Sequence, residues 1–553
     1  MTGGILQLVA RGYDDLYMIK NPEITYFKIV YRRYTNFSIQ PKTITFNDNA
    51  TFGQVGNCKI KLLGDLVSKV YLGINLPEID LSDEYYTISD IQLILKKYDI
   101  NYINSNTSSK IQVNIFYDIR PLIIDKLKEI YTYYINETVD KTKELFLTQL
   151  KTIGFQDTNG CWSFPLLKEL FMPNFIHNAL SSEVFNIFQS GKPRFAWINE
   201  LAHYLVEYVE ISIGGEVIDN HNSEVLRSLS ILNEDYEKKR GYDIMIGNTP
   251  ELNTYNSEIK LPTTLYLPLR FWFCNHFSEA LPIVAMPYSP VDITVKFRKF
   301  EDVSMTTSFK FKKEPKLDAF LMVHYIYVDE DERKRLCENK QEYLIETIET
   351  GNEENFNKKN IIEAKNSILV DNNSNTIFRE HYIDYRLGFN YTTKTILWIV
   401  KPLIINNKVN KFDWNFYIND SLKTYNPLTN IKIKFNGRDR EVIHSYGVYQ
   451  YLQPYKFFNS SVDNLFVYSF ALYPQMLQPS GVANFGKLAD SSLILYLNSL
   501  LTQYIQENNF KFKVSCYALN YNILRIFSGI GGVAFNTLIK IIYINKNIIY
   551  FLI

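Results

Sequence analysis

The sequence predicts an all-β chain made of two similar parts, and three observations carry that reading. The 41 Tyr and 37 Phe raise the aromatic content to 15%, and aromatic side chains favour half-buried pleated surfaces. Residues 266–298, YLPLRFWFCNHFSEALPIVAMPYSPVDITVKFR, read as two strands and a tight connection. Leu267 to Phe273 is dense in aromatic and aliphatic side chains. Leu281 to Met286 is an unbroken apolar run that leads, after a turn, into alternating Val291, Ile293, Val295 and Phe297. Such strands need cover on both faces. Pro268, Pro282, Pro287 and Pro290 cannot donate to a sheet ladder, so they belong at strand starts, edges and turns, and they argue against a helix. The third observation is a unit of strand, tight turn and charged return found once in each half, as VEYVEISIGGEVID at 206–219 and IKIKFNGRDR at 431–440. Gly214-Gly215 and Asn436-Gly437 supply the positive φ that a two-residue I′ hairpin turn needs at both positions.

At 553 residues the chain exceeds the usual size of one core, so two domains are expected, and 46% hydrophobic residues are ample for both. Lys plus Arg equals Asp plus Glu, 59 each, which leaves no overall basic field and argues against wrapping nucleic acid directly. Cys58, Cys161, Cys274, Cys337 and Cys516 are scattered, odd in number and without a CxxC pair. They read as reduced structural thiols, not as a disulfide framework or a metal cluster. The apolar patch Ile5 to Ala10 has no basic residue before it, so no signal peptide is expected. No run approaches the ~18 apolar residues of a membrane span, and the composition suits a reducing, soluble compartment.

Along the chain, a Gly-containing arm turns at Asn21-Pro22 and alternates through Ile24, Tyr26, Lys28 and Val30 into a first strand. Arg32 and Arg33 between tyrosines fit a solvated face or subunit contact better than base stacking. Short strands follow at Lys59–Leu63 and Lys69–Leu76. Residues 80–193 change character: Leu122 to Leu150 has helical spacing after Pro121, and a second partly helical piece covers Leu166–Phe188. This reads as an inserted subdomain packed on its parent; mixed charges on the polar side of the helix disfavour a membrane surface. Asp329 to Arg335 reads as a solvated connector helix, with Asp329, Glu330 and Asp331 each four residues before a base. Polar, Asn-rich 348–378 reads as a loop, followed by strands at Tyr385–Lys401, Val467–Leu472 and Phe510–Ile526. Pro479 and Gly481 mark the turn between the last two. The tail 538–553 is apolar, but Lys540 and Lys546 interrupt it and its 16 residues fall short of a span.

No constellation for catalysis emerges. Gly529-x-Gly531-x-x-Ala534 follows a strand as a dinucleotide fingerprint would, yet the 19 residues after it contain no Asp or Glu to take a ribose hydroxyl. The seven histidines form no HxH or HExxH, and His276 with Glu279 has no helix to align the pair on a metal. Eight Asn-x-Ser/Thr sequons are what so much Asn gives by chance. The residues therefore point to a two-part β protein that presents surface and assembles, with no cofactor.

Seven stretches also resemble, in order from end to end, the major capsid proteins of nucleocytoplasmic large DNA viruses of the mimivirus and phycodnavirus type. They are GGILQLVARGYDDLYMIKNPEITYFKIVYRRYTNF at 3–37, VEISIGGEVID at 209–219, ALPIVAMPYSPVDI at 280–293, YIYVDEDERKR at 325–335 with EYLIE at 342–346, IKFNGRDR at 433–440, YSFALYPQMLQPSGVANFGKLADSSL at 468–493 and NYNILRIFSGIGGVAF at 520–535. The chain departs from the family at Gly486-Lys487-Leu488-Ala489, where relatives usually carry a Ser-Arg-Ile-Asp-like run, so an ion pair or loop bond is lost.

The resemblance implies a double jelly roll, two eight-stranded antiparallel β-sandwiches side by side, with the partly helical insertion in the first. Its parts would be an arm at 1–25, a first roll at 26–328, a connector at 329–342, a second roll at 343–537 and the tail. It further implies a structural protein and no enzyme. Homotrimers would form pseudo-hexagonal capsomers that meet neighbouring capsomers and minor capsid proteins in an icosahedral virion shell, assembled in the host cytoplasm without direct contact to nucleic acid. Phe271, Trp272 and Phe273 are expected partly in the first core and partly against a neighbouring roll, with His276 and Glu279 as turn residues. A divergent low-copy capsid paralogue and a glycan-binding jelly roll for host attachment are the competing readings. A cupin-like metal enzyme would need clustered histidines.

Overall fold

The computed structural model describes residues 3–13, 19–29, 31–47, 50–81, 195–256, 258–306, 315–352, 354–356, 358–370, 377–402, 426–508 and 511–535. The expected insertion helices, Leu122 to Leu150 and Leu166 to Phe188, and the tail at 538–553 lie outside these residues.

Among the described residues, eight strands make the two main sheets of the first roll: β1 (Phe37–Thr45), β2 (Val55–Lys59), β3 (Leu66–Leu76), β4 (Val206–Ile213), β5 (Glu216–Asn222), β6 (Thr263–Pro268), β7 (Val291–Phe297) and β8 (Asp318–Val328). They form two four-stranded sheets, ordered β1-β8-β3-β6 and β2-β7-β4-β5, and all pairings are antiparallel. In β7 the alternation is the burial pattern itself: Val291, Ile293, Val295 and Phe297 are buried while Asp292, Thr294 and Lys296 are half-buried.

The second roll repeats the plan with β9 (Gln341–Thr350), β10 (Ile377–Arg386), β11 (Thr392–Pro402), β12 (Leu428–Phe435), β13 (Arg438–Asp439), β14 (Leu465–Ser469), β15 (Ser491–Leu497) and β16 (Phe512–Phe527). One sheet runs β9-β16-β11-β14 and the other β10-β15-β12-β13, with further strands at the margins, among them the nine-residue Ile362–Val370 beside β10. Position by position this is the first roll's order: first, eighth, third, sixth against second, seventh, fourth, fifth. The two strand-and-turn units of the sequence therefore occupy equivalent places, each joining the fourth strand of its roll to the fifth.

Several local expectations are corrected. No strand lies in the described part of 19–36, and the first begins at Phe37, because Ile24, Tyr26, Phe27 and Ile29 have nothing to pack on and are exposed. In the 266–298 stretch only β6 and β7 are strands. Trp272–Asn275 is a single helical turn, and Phe277–Glu279 and Ile283–Ala285 are 3-10 turns. Leu281 keeps one isolated bridge, to Val67. An unbroken apolar run marks burial without fixing a period, and the prolines withhold the ladder donors that a second strand would need. Ile362–Val370, expected in a loop, is a strand paired with β10.

The connector is helical, at Glu330–Glu338, but its ion pairs differ from the expected ladder. Arg333 turns away from Asp329 and makes a bidentate pair with Asp65 at 2.7 and 3.1 Å. Lys334 approaches Glu338, and Arg335 approaches Glu332. Asp65 is buried and also accepts from the Val328 amide at 2.9 Å. A buried carboxylate needs its charge answered more than a solvated helix face needs another i,i+4 contact.

Candidate functional site

In a protein expected to assemble, function lies where the rolls meet and in what they leave exposed. Helix α1 (Ser223–Asn233) starts as β5 ends, because the Asn222 side chain accepts from the Val225 amide at 2.9 Å and caps it. Its face of Val225, Leu229 and Leu232 packs on Leu397, Leu465 and Tyr517 of the second roll, forming a third buried cluster between the two roll cores.

Charge is buried beside that face. Lys401 Nζ donates to Glu224 Oε1 at 2.8 Å, Tyr517 Oη donates to Glu224 Oε2 at 2.7 Å, and Asn222 Nδ2 donates to Tyr517 Oη at 2.9 Å. Burial alone would raise the Glu224 carboxyl, but Lys401 and the Tyr517 hydroxyl outweigh it and hold the group well below the usual carboxylate range. Nearby, Asp219 Oδ2 accepts from His221 Nε2 at 2.8 Å while Oδ1 accepts from the Ile348 amide of β9 at 2.9 Å. One buried carboxylate thus bonds both rolls.

Phe271 stacks on the His221 ring at 4.8 Å between centroids, and Phe273 lies 6.0 Å beyond it in a near-parallel plane. Trp272 meets Phe273 edge-on at 5.3 Å. All three are buried within the first roll's cluster, and the helical turn that carries Trp272 and Phe273 packs on both β3 and β9. His276 Nδ1 accepts from the Ser278 amide at 3.1 Å and caps the next turn.

Gly214 and Gly215 have φ of 62° and 85°, and Asn436 and Gly437 have 50° and 74°. Gly481 has φ 146°, and a Cβ there would lie 2.6 Å from the Phe470 carbonyl oxygen. The loop around exposed Pro479 closes where Ser480 Oγ accepts from the Tyr473 amide at 2.9 Å. Gly486, the first residue of the divergent run, faces the Asn390 carbonyl, 2.6 Å from where a Cβ would sit. A serine side chain has no room there.

The seam residues Asp219, Glu224 and Lys401 were not legible as a set, because partners such as Glu224 and Lys401 stand 177 positions apart with no motif between them. Among the described residues no group of three or more His, Cys, Asp and Glu is placed to hold a metal. No helix among them is long and apolar enough to cross a membrane. Cys58, Cys274, Cys337 and Cys516 are free thiols.

The family model described as major capsid protein N-terminus matches residues 25–157 and 165–329, and that described as large eukaryotic DNA virus major capsid protein matches 332–532. The chain belongs to the major capsid proteins of large eukaryotic DNA viruses. The major capsid protein of Phaeocystis pouchetii virus is 25% identical to it over 652 residues, covering 97% of this chain and 100% of the relative. That of Paramecium bursaria Chlorella virus 1 is 24% identical over 575 residues, with the same coverage. The quasi-atomic structure of the PBCV-1 virus capsid superposes with a TM-score of 0.56 at 20% identity, over 93% of this chain and 100% of that one. The fold is the double jelly roll. As a major capsid protein the chain is structural, not enzymatic, and builds the virion capsid with other copies.

Proposed function

We propose that three copies form a pseudo-hexagonal capsomer, and that capsomers tile an icosahedral shell together with minor capsid proteins. The observation that carries this reading is the duplicated strand order. Two equivalent rolls per chain give six in a trimer, so a three-fold assembly presents a nearly six-fold outline. In this reading the arm is 1–25, the rolls are 26–328 and 343–537, the connector is 329–342 and 538–553 is a tail. The arm and the residues after it add support: Tyr26 and Phe27 are 90% and 98% exposed, as befits side chains that find their cover on another subunit. The balanced charge suits a shell that does not hold nucleic acid itself, and free thiols suit assembly in the host cytoplasm. Phe271, Trp272 and Phe273 serve as packing, and Gly214, Gly215, Asn436, Gly437, Pro479 and Gly481 as structural turns.

Native mass spectrometry and light scattering of the purified full chain test the stoichiometry. A species of three chains is expected; a monomer that persists across concentration and salt overturns the reading.

A further inference from the structure

A second group of ionisable side chains lies on the seam, apart from the Glu224 pair. Lys394 on β11 has its side chain only 4% exposed. Its ammonium donates to Glu346 on β9 and, at 2.9 Å, to the Pro474 carbonyl. It also lies 5.6 Å over the ring of Tyr521 on β16. All of these belong to the second roll. The first roll brings up Glu279, at the end of the turn that follows Trp272 and Phe273; the helical turn before it packs on β9, and Glu279 lies within electrostatic reach of Glu346, Lys394 and Tyr521. Glu279 Oε2 and Tyr521 Oη are both buried, and neither has a hydrogen-bond partner among the described residues.

The charged and titratable groups set against Glu279 are therefore Glu346, Lys394 and Tyr521. Two carboxylates share one ammonium, and Glu346 already holds it. A charged Glu279 would leave the seam with an unanswered negative charge in a place where water cannot solvate both oxygens. A neutral Glu279 removes that charge.

We propose that Glu279 is a proton-operated latch between the two rolls: neutral, it closes into the seam beside Glu346 and Lys394; ionised, it works against that closure. Burial first, and then the Glu346 charge, push the Glu279 carboxyl up to about 7, with Lys394 opposing them. The direction of the effect follows. The folded chain holds this proton at pH values where the unfolded chain has lost it, so stability is greatest below the ordinary value of 4.5, falls as pH rises towards about 7 and is level above that. The latch acts within one chain and does not depend on how many copies form a capsomer.

Thermal melting of the assembled full-length protein from pH 5 to pH 8, wild type beside Glu279→Gln, tests it. Glutamine keeps the shape and cannot ionise. The two proteins are expected to melt nearly together at pH 5 and to diverge as pH rises, with Glu279→Gln melting higher by a few degrees at pH 8. Equal melting at every pH, or a lower value for Glu279→Gln at pH 8, overturns the latch. Should Glu279→Gln not fold, Glu346→Gln gives an independent reading. It frees Lys394 to pair with Glu279, so the pH-dependent step must move to lower pH; a step that stays in place overturns the proposal.

Discussion

At the scale of single residues, burial decides which side chains matter. Trp272 is 1% exposed and packed edge-on against Phe273 beneath the seam. Trp272→Ala should cost about 3–5 kcal/mol, the usual range for emptying an aromatic core site, measured by chemical denaturation; an unchanged midpoint would contradict its placement. His203 is buried with Nε2 2.7 Å from the Tyr242 hydroxyl. Burial depresses its pKa from 6.5 to about 3, and nearby Arg227 and Arg270 add to the effect while Glu200 opposes it. The folded imidazole is neutral where the unfolded one would be charged, so its contribution is complete above pH 6.5 and is lost as pH falls towards about 3. Melting curves between pH 7 and 4 should therefore fall less steeply for His203→Gln than for wild type. His203 lowers stability in acid and Glu279 lowers it towards neutrality, so removing either should move the pH of greatest stability in opposite directions.

At the scale of elements, α1 is what the second roll rests on. Its cap, Asn222, also donates to Tyr517, and its first-turn Glu224 holds Lys401. Removing one member takes the opposite charge away from a buried ion, so Glu224→Gln or Lys401→Met should each cost up to about 3–5 kcal/mol. The double variant should cost less than the sum, because neither charge is stranded; strict additivity in a double-mutant cycle would mean that the pair does not couple the rolls. The hairpins β4-β5 and β12-β13 were legible at this scale because each turn is fixed by two adjacent residues at positive φ. The turns between Phe271 and Met286 were not. Their apolar side chains follow no single period, and the packed neighbours, β3, β9 and the connector helix among them, determine how the backbone folds to bury them.

At the scale of the whole molecule, the matching strand orders make one chain a pair of equivalent blocks, joined by a buried apolar cluster and two buried polar groups. The connector helix is tied back to the first roll by Arg333 and Asp65, which stand 268 positions apart. A fixed angle between blocks is what a repeating shell requires, since small errors of orientation would accumulate from copy to copy. The chain nevertheless leaves the large apolar side chains Tyr26 and Phe27 without cover. In the proposed trimer a neighbouring copy would supply that cover, and a persistent monomer would leave their exposure unexplained.

The sequence by itself determined the β class, the two-part plan, the tight turns and the family, because alternation, turn chemistry and ordered motifs are local properties that survive in a linear string. Tertiary structure alone decided the pairing of Asp65 with Arg333, Asp219 with Ile348, Glu224 with Lys401 and Glu346 with Lys394. Each of those contacts depends on which strands become neighbours. It also decided that the apolar run from Leu281 to Met286 would coil instead of extend, since burial sets how much apolar surface is hidden but leaves the backbone's path to the packing around it.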